Sequence, residues 1–147
     1  MAMDLVIPKT AVLVDIVQAD RECGEFYLFL NQVSPLRNGP QTLEEFLNSQ
    51  QLFIPAKRAL DGRFQIVNGR NIIYIREKEA VGEQPLMLIQ VELRNQETLL
   101  VGPYEPMPAA NARPIDFLNS PHVFLAFIQG QTRIYINKNH ILRAGEQ

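Results

Sequence analysis

The chain has 147 residues, of which 46% are hydrophobic and 20% charged, and its formal net charge is -2. This composition is typical of a globular protein, and the slightly negative charge argues against a protein whose main task is to coat nucleic acid. A single cysteine excludes an intramolecular disulfide framework, and no apolar run approaches the ~20 residues that a membrane-spanning helix needs. Residues 1–10 lack the basic segment of a secretory signal, so we expect a cytoplasmic location and no membrane association.

The first half of the chain predicts a hairpin, a short helix and three more strands. Apolar patterning indicates strands at residues 12–17, 25–30, 52–55, 63–67 and 71–76. Thr42 and Glu45 have the spacing of a capping box, which predicts a helix of one to two turns that directs Phe46 and Leu47 into the core. The pair Asn68-Gly69 follows alternating apolar residues and predicts a tight hairpin turn between the last two strands.

A sequence motif occurs twice in the chain. Phe-Leu-Asn-Ser, with a further Phe four residues later, stands at residues 46–53 and again at residues 117–124, a spacing of 71. Farther on, residues 67–73 correspond to residues 136–142 at a spacing of 69, so a turn in the second half is two residues shorter. Self-similarity along both halves is typical of a duplicated structural unit.

The second half therefore predicts the same order of elements as the first. Residues 89–93 match the first strand, and the last three strands are expected at residues 123–128, 132–136 and 140–143. Pro114 suits the first position of the second helix, and Asp116 adds an acidic residue to its first turn. We expect Asn48 and Asn119 to end the two helices in left-handed backbone geometry.

We predict a mainly β fold of two tandem units, at residues 8–79 and 85–144. Each unit has the order β-β-α-β-β-β, and five short strands with one brief helix favour a small β-barrel, packed pseudo-symmetrically against its copy. In element order and size each unit resembles the Sm-like and SH3-like small barrels, although Sm-type proteins place their helix before the first strand. The pattern of a short helix ending in Phe-Leu-Asn, an aromatic strand and a final Ile-rich strand is also similar to bacterial domains of unknown function.

Groups that carry out catalysis or bind metals show no recognisable pattern. His122 and His140 lack further ligands at the spacing of a zinc site, so we expect them to be surface or capping residues. The chain contains no Gly-x-Ser-x-Gly elbow and no Gly-rich phosphate loop. Cys23 is expected to be a small core residue of the second strand. The sequence therefore predicts no enzymatic activity, no catalytic residue, no metal and no cofactor.

Basic residues concentrate in the C-terminal part of each predicted unit. Apart from Lys78, they are Lys57, Arg58, Arg63, Arg70 and Arg76 in the first unit, and Arg133, Lys138 and Arg143 in the second. Such residues are typical of solvent-facing strand positions that keep sheet edges soluble. The same residues are candidates for binding RNA or single-stranded nucleic acid, with Phe64 or Tyr135 stacking on bases.

Two functions from different classes stay open. One is a non-enzymatic interaction or regulatory module that binds a protein partner or associates with itself through a sheet edge. The alternative is RNA or single-stranded nucleic-acid binding through the basic strands. Residues 102–108 are rich in proline and predict either a docking segment that presents Tyr104 and Met107 or a stiff loop. We favour a protein partner or self-association over nucleic acid, because the chain lacks motifs for chemistry and is rich in short strands.

Overall fold

The computed structural model describes residues 9–20, 22–49, 51–82, 84–85, 87–104 and 113–146. Its strands are β1 Lys9–Gln18, β2 Cys23–Asn31, β3 Phe53–Arg58, β4 Phe64–Asn68, β5 Ile72–Ala80, β6 Ile89–Leu93, β7 Thr98–Pro103, β8 Phe124–Gln129, β9 Thr132–Asn137 and β10 Ile141–Glu146. Two short helices, α1 Leu43–Leu47 and α2 Pro114–Leu118, precede β3 and β8. The strands predicted from apolar patterning are present, with ends that differ by at most four residues.

The ten strands form one antiparallel sheet in the order β10-β6-β7-β8-β9-β5-β1-β2-β3-β4. The prediction of a mainly β fold is confirmed. The sheet is not closed into a barrel within the described residues, so β10 and β4 are its two edge strands. Strands of the first half and strands of the second half form two consecutive groups, joined where β5 pairs with β9.

Two hydrophobic cores lie on either side of this junction. The first contains Leu28 and Ile75 from the first half, together with Phe124, Ala126 and Tyr135 from the second. The second core is built mainly from β6 to β9 and receives Ile73 and Tyr74 from β5. Each half therefore buries apolar side chains in the core of the other, which ties the halves together by the burial of apolar surface.

The first helix begins as its sequence predicts. The Thr42 hydroxyl accepts a hydrogen bond from the Glu45 backbone amide, and the Glu45 carboxylate accepts one from the Thr42 amide, so the capping box is confirmed. Leu47 is buried and Phe46 is only partly buried against the first core. Pro114 occupies the start of α2, also as predicted.

The left-handed geometry expected at both helix ends is wrong. Asn48 has φ of -98° and Asn119 has φ of -91°, values that any residue can adopt. The Asn48 side chain is instead held by hydrogen bonds to the second half, described below, so asparagine is present at this position for its carboxamide.

The Asn68-Gly69 pair does not form the predicted hairpin. It leads into a 3-10 turn at Gly69–Asn71, in which Asn68 Oδ1 accepts from Arg70 N at 3.0 Å. The chain then crosses from the edge strand β4 to β5, which pairs with β1 and β9. Glycine is required at position 69 because a Cβ there would lie 2.9 Å from Leu52 O.

Two smaller predictions also need correction. Cys23 is exposed at the first residue of β2, because Phe26, Leu28 and Leu30 define the buried face of that strand and Cys23 falls on the other face. In the proline-rich segment, Gly102 and Pro103 belong to β7, and Tyr104 packs against the first core. Met107 lies outside the described residues.

No described helix has the length and apolar character that crossing a membrane requires.

Candidate interaction surfaces

Backbone pairing between β5 and β9 forms the first contact between the halves. Ile75 lies opposite Tyr135, and Tyr74 and Arg76 lie opposite Ile136 and Ile134. The Asn137 side chain, 1% exposed, reinforces this pairing: its Nδ2 donates to Ile72 O at 3.0 Å, while its Oδ1 accepts from Asn139 N at 3.0 Å. One buried carboxamide thus ends β9 and binds the other half at once.

Asn48 forms the second contact between the halves. Its Nδ2 donates to Phe124 O at 3.0 Å, and its Oδ1 accepts from Phe124 N at 2.9 Å. Lys138 N donates to Val123 O, so the neighbouring residue, Phe124, directs its own N–H and C=O away from β9. The Asn48 carboxamide therefore takes the place of a strand partner for Phe124.

A group of charged and aromatic side chains lies beside these contacts. Tyr135 Oη donates to Glu77 Oε1 at 3.1 Å, and Arg133 Nη1 lies 3.9 Å from Glu77 Oε2. Burial raises the pKa of Glu77, although the Tyr135 hydrogen bond and the Arg133 charge oppose the rise. The Arg133 guanidinium lies 4.3 Å from the centre of the Tyr104 ring, in cation–π geometry.

A cleft of about 880 Å³ opens between α1 and the second half. Its wall includes Glu44, whose Oε1 lies 3.5 Å from His122 Nδ1, and Glu45. The Ser34 hydroxyl donates to the Glu45 carboxylate, and Thr42 and Arg37 donate to it as well, so the pKa of Glu45 falls to about 2. This carboxylate is therefore fixed in place as an anion that holds the α1 start and the preceding loop.

Both histidines, which belong to the second half, lie beside residues of the first half. His122 lies beside Glu44, and His140 Nε2 lies 2.7 Å from Arg70 O, across the junction between the halves. Among the residues that the structure describes, no group of three or more His, Cys, Asp or Glu side chains is arranged to hold a metal ion.

The structure brings together some of the predicted basic residues. Lys57 pairs across from Phe64, and Arg58 N donates to Arg63 O, so these three basic residues lie at the same end of the β3–β4 hairpin. Arg58 Nε also lies 3.7 Å from Asp61 Oδ1.

The other basic residues lie elsewhere and mostly contact local acceptors. Arg76 donates to Gln129 Oε1, Lys138 donates to Ser120 O, and Arg143 pairs with Glu92. Arg133 lies at Tyr104 and Glu77, as described above, and Arg70 is exposed in the first 3-10 turn. Tyr135 is only 4% exposed, so the hypothesis that it stacks on bases is wrong.

Exposed apolar side chains mark the β4 edge of the sheet. Phe53 is 55% exposed, Phe64 69% and Ile66 76%. At the opposite edge, Leu142 of β10 is 49% exposed. An edge strand offers unpaired N–H and C=O groups, and apolar side chains beside them make it a surface for adding another strand.

Sequence reasoning missed the residues that hold the halves together. Backbone geometry was the interpretation given to Asn48, and Asn137 was not singled out. The available signal was that the asparagines at both places recur in the two halves, at residues 48 and 119 and at residues 68 and 137. A retained carboxamide indicates hydrogen bonds to backbone, because it both donates and accepts.

The fold and these surfaces define a mainly β protein with an open ten-stranded sheet. No family model, curated protein or solved structure matches the chain. Inferences about its function therefore depend on the contacts between the halves and on the exposed sheet edges.

Proposed function

We propose that the chain is a duplicated β-β-α-β-β-β unit that works as a non-enzymatic interaction module, binding a protein partner or another copy of itself through a sheet edge. Matching local contacts in the two halves support the duplication. Leu52 O accepts from Gly69 N in the first half, and Val123 O accepts from Lys138 N in the second. The sheet order supports it too, because the strands β10-β6-β7-β8-β9 are followed by β5-β1-β2-β3-β4, which are the equivalent strands of the first half in the same order.

The observation that carries the proposed activity is the apolar β4 edge. Ile66 and Phe64 are about three-quarters and two-thirds exposed on a strand whose outer side has no partner strand in the described residues. Proteins usually protect such an edge with charges, prolines or a covering loop, because it promotes association with other chains. An unprotected apolar edge is therefore typical of a binding surface.

Site-specific photo-cross-linking tests this function. A benzoylphenylalanine placed at Phe64, in cells that naturally make the protein, is expected to cross-link to one or a few defined polypeptides, identified by mass spectrometry. The matched control carries the same probe at Val33, which is 71% exposed in the loop after β2. Adding Ile66→Asp to the Phe64 probe should abolish the cross-link, because a carboxylate in the edge disfavours strand addition. Equal, diffuse labelling from both positions would contradict the proposal.

Nucleic-acid binding is kept as a second candidate because of one cluster. Lys57 Nζ lies 5.9 Å from the centre of the exposed Phe64 ring, and Arg58 and Arg63 stand at the same end of the β3–β4 hairpin. Cations next to an exposed aromatic ring are typical of single-strand binding sites.

A fluorescence titration with mixed-sequence RNA and single-stranded DNA tests this candidate. Binding that uses the cluster should weaken steeply with salt, with a slope of about -0.7 per phosphate contact. Lys57→Ala with Arg63→Ala should reduce that slope, whereas Arg143→Ala, at the other edge, should not. Absence of binding at low salt would exclude the candidate.

A further inference from the structure

We propose that copies of this chain join head to tail, β4 of one copy pairing with β10 of the next, and that the copies close into a ring. The new interface repeats the β9–β5 interface that already joins the two halves. This inference rests on the proposed function and names its partner: a second copy of the same chain.

The order of strands leaves two complementary edges at the ends of the sheet. Within one chain, β9, the fourth strand of the second unit, pairs with β5, the fifth strand of the first unit. The strand that corresponds to β9 in the first unit is β4, and the strand that corresponds to β5 in the second unit is β10. Among the described residues these are the two open edges of the sheet, so each edge carries one side of the interface that β9 and β5 form within the chain.

Equivalent apolar residues of the two halves differ in their burial. Three residues of the second half lie in the first core: Phe124 is 3% exposed, Ala126 8% and Tyr135 4%. Their counterparts in the first half, by the spacings of 71 and 69, are Phe53, Pro55 and Ile66. All three counterparts are exposed, Phe53 at 55% and Ile66 at 76%. The β3–β4 surface thus has apolar residues where the equivalent β8–β9 surface is covered by a neighbouring unit.

The opposite edge shows the complementary pattern. Ile73 of β5 is 1% exposed because it packs in the second core. Its counterpart in β10 is Leu142, which is 49% exposed. Transferring the observed register places Ala144 of one copy opposite Ile66 of the next, as Ile75 lies opposite Tyr135.

The polar contact between the halves also has a counterpart at the two edges of the sheet. Asn48 binds the backbone N–H and C=O of Phe124 within the chain. The counterparts of this pair are Asn119, which is exposed, and Phe53. Gly69 N donates to Leu52 O, so the adjacent Phe53 directs its N–H and C=O away from β4, as Phe124 does from β9. Asn119 of one copy is therefore placed to bind the Phe53 backbone of the next.

A head-to-tail contact leaves a free β4 at one end of every open chain of copies and a free β10 at the other. Joining these two ends pairs both edge strands and buries the apolar surface beside them, which favours a closed ring over an open filament. A closed ring also limits growth to a fixed number of copies.

Sedimentation velocity with full-length variants tests the inference. The wild-type chain is expected to sediment as one species that contains a whole number of copies, two or more, of the 16.8 kDa chain. Its mass should not rise with concentration. Ile66→Asp blocks only the β4 edge and Leu142→Asp only the β10 edge, and each variant should be a monomer. Mixed one to one, they should form a dimer of one copy of each, because each variant keeps the edge that the other has lost. Val33→Asp should leave the wild-type assembly intact.

Asn119→Ala provides a separate measure of the polar contact. It should weaken assembly about tenfold per interface, the effect of losing roughly 1–2 kcal/mol, without unfolding the chain.

The possible outcomes separate this inference from the function on which it rests. A monomeric wild-type chain whose β4 edge cross-links to a different protein overturns the ring and leaves the interaction module standing. A monomer without any specific cross-link overturns both. A wild-type mass that grows continuously with concentration refutes closure, and variants that fail to form the mixed dimer refute the head-to-tail pairing, provided that circular dichroism shows both to be folded.

Discussion

Asn48→Ala removes the side chain that connects the end of α1 to the start of β8. In the native chain this carboxamide donates to Phe124 O and accepts from Phe124 N. Phe124 is 3% exposed, and its N–H and C=O point away from β9, so the substitution leaves two backbone groups without these bonds in a largely buried position. The change removes no part of the apolar core, which keeps the effect interpretable.

The magnitude follows from those two groups. A buried donor or acceptor that loses its partner costs about 1–3 kcal/mol. Asn48 itself is only partly buried, so water reaches part of the site and the lower end of that range applies to each group. We expect a loss of about 2–3 kcal/mol in the free energy of unfolding. With a urea dependence of about 1–3 kcal/mol per M, the unfolding midpoint should fall by about 0.7–3 M.

Urea unfolding followed by circular dichroism measures this loss. The matched control is Asn119→Ala, the same substitution in the same motif. Asn48→Ala and Asn119→Ala are each made separately in the Ile66→Asp background, so that assembly contributes nothing to either measurement. Asn119 is exposed, so its replacement should change the free energy of unfolding by no more than about 0.5 kcal/mol. Equal effects of the two substitutions would refute the role assigned to Asn48.

Two further predictions concern a carboxylate and a glycine. The pKa of Glu45 lies at about 2, below its usual 4.5, because Ser34 and other donors bind the anion. Its contribution to stability is therefore full above pH ~4.5 and is lost as the pH falls toward 2. Glu45→Gln should flatten the pH dependence of the urea midpoint in that window, and an unchanged curve would contradict the assignment. Gly69→Ala should destabilise the chain by about 1–3 kcal/mol, because the new Cβ would lie 2.9 Å from Leu52 O. Gly145→Ala is its control, since a Cβ there meets nothing within 4 Å, and equal urea midpoints would show that the close approach relaxes freely.

Local pattern predicted the elements well because the interactions that define them are local. The alternation of Phe26, Leu28 and Leu30 requires only neighbours along the strand, and the Thr42–Glu45 capping box requires only one helical turn. These features were therefore predictable from residue types and spacing.

Contacts between distant segments were not predictable in the same way. Asn68-Gly69 has the composition of a hairpin turn, but β5 pairs with β1 and β9, and that competition is invisible in a local window. The role of Asn48 depends on Phe124, a residue 76 positions away. The exposure of Ile66 against the burial of its counterpart Tyr135 emerges only from the sheet order, and the proposed interaction edge rests on this difference.

Amide hydrogen exchange of β4 in the wild-type chain tests the central claim most directly. Arg58 N donates to Arg63 O, and the ladder alternates from there, so Phe64, Ile66 and Asn68 direct their N–H groups to the open edge. If the edge pairs with β10 of another copy, these amides should be protected in the wild-type assembly and exchange rapidly in Leu142→Asp. Rapid exchange of the same three amides in both proteins would contradict the claim that β4 pairs with β10 of another copy.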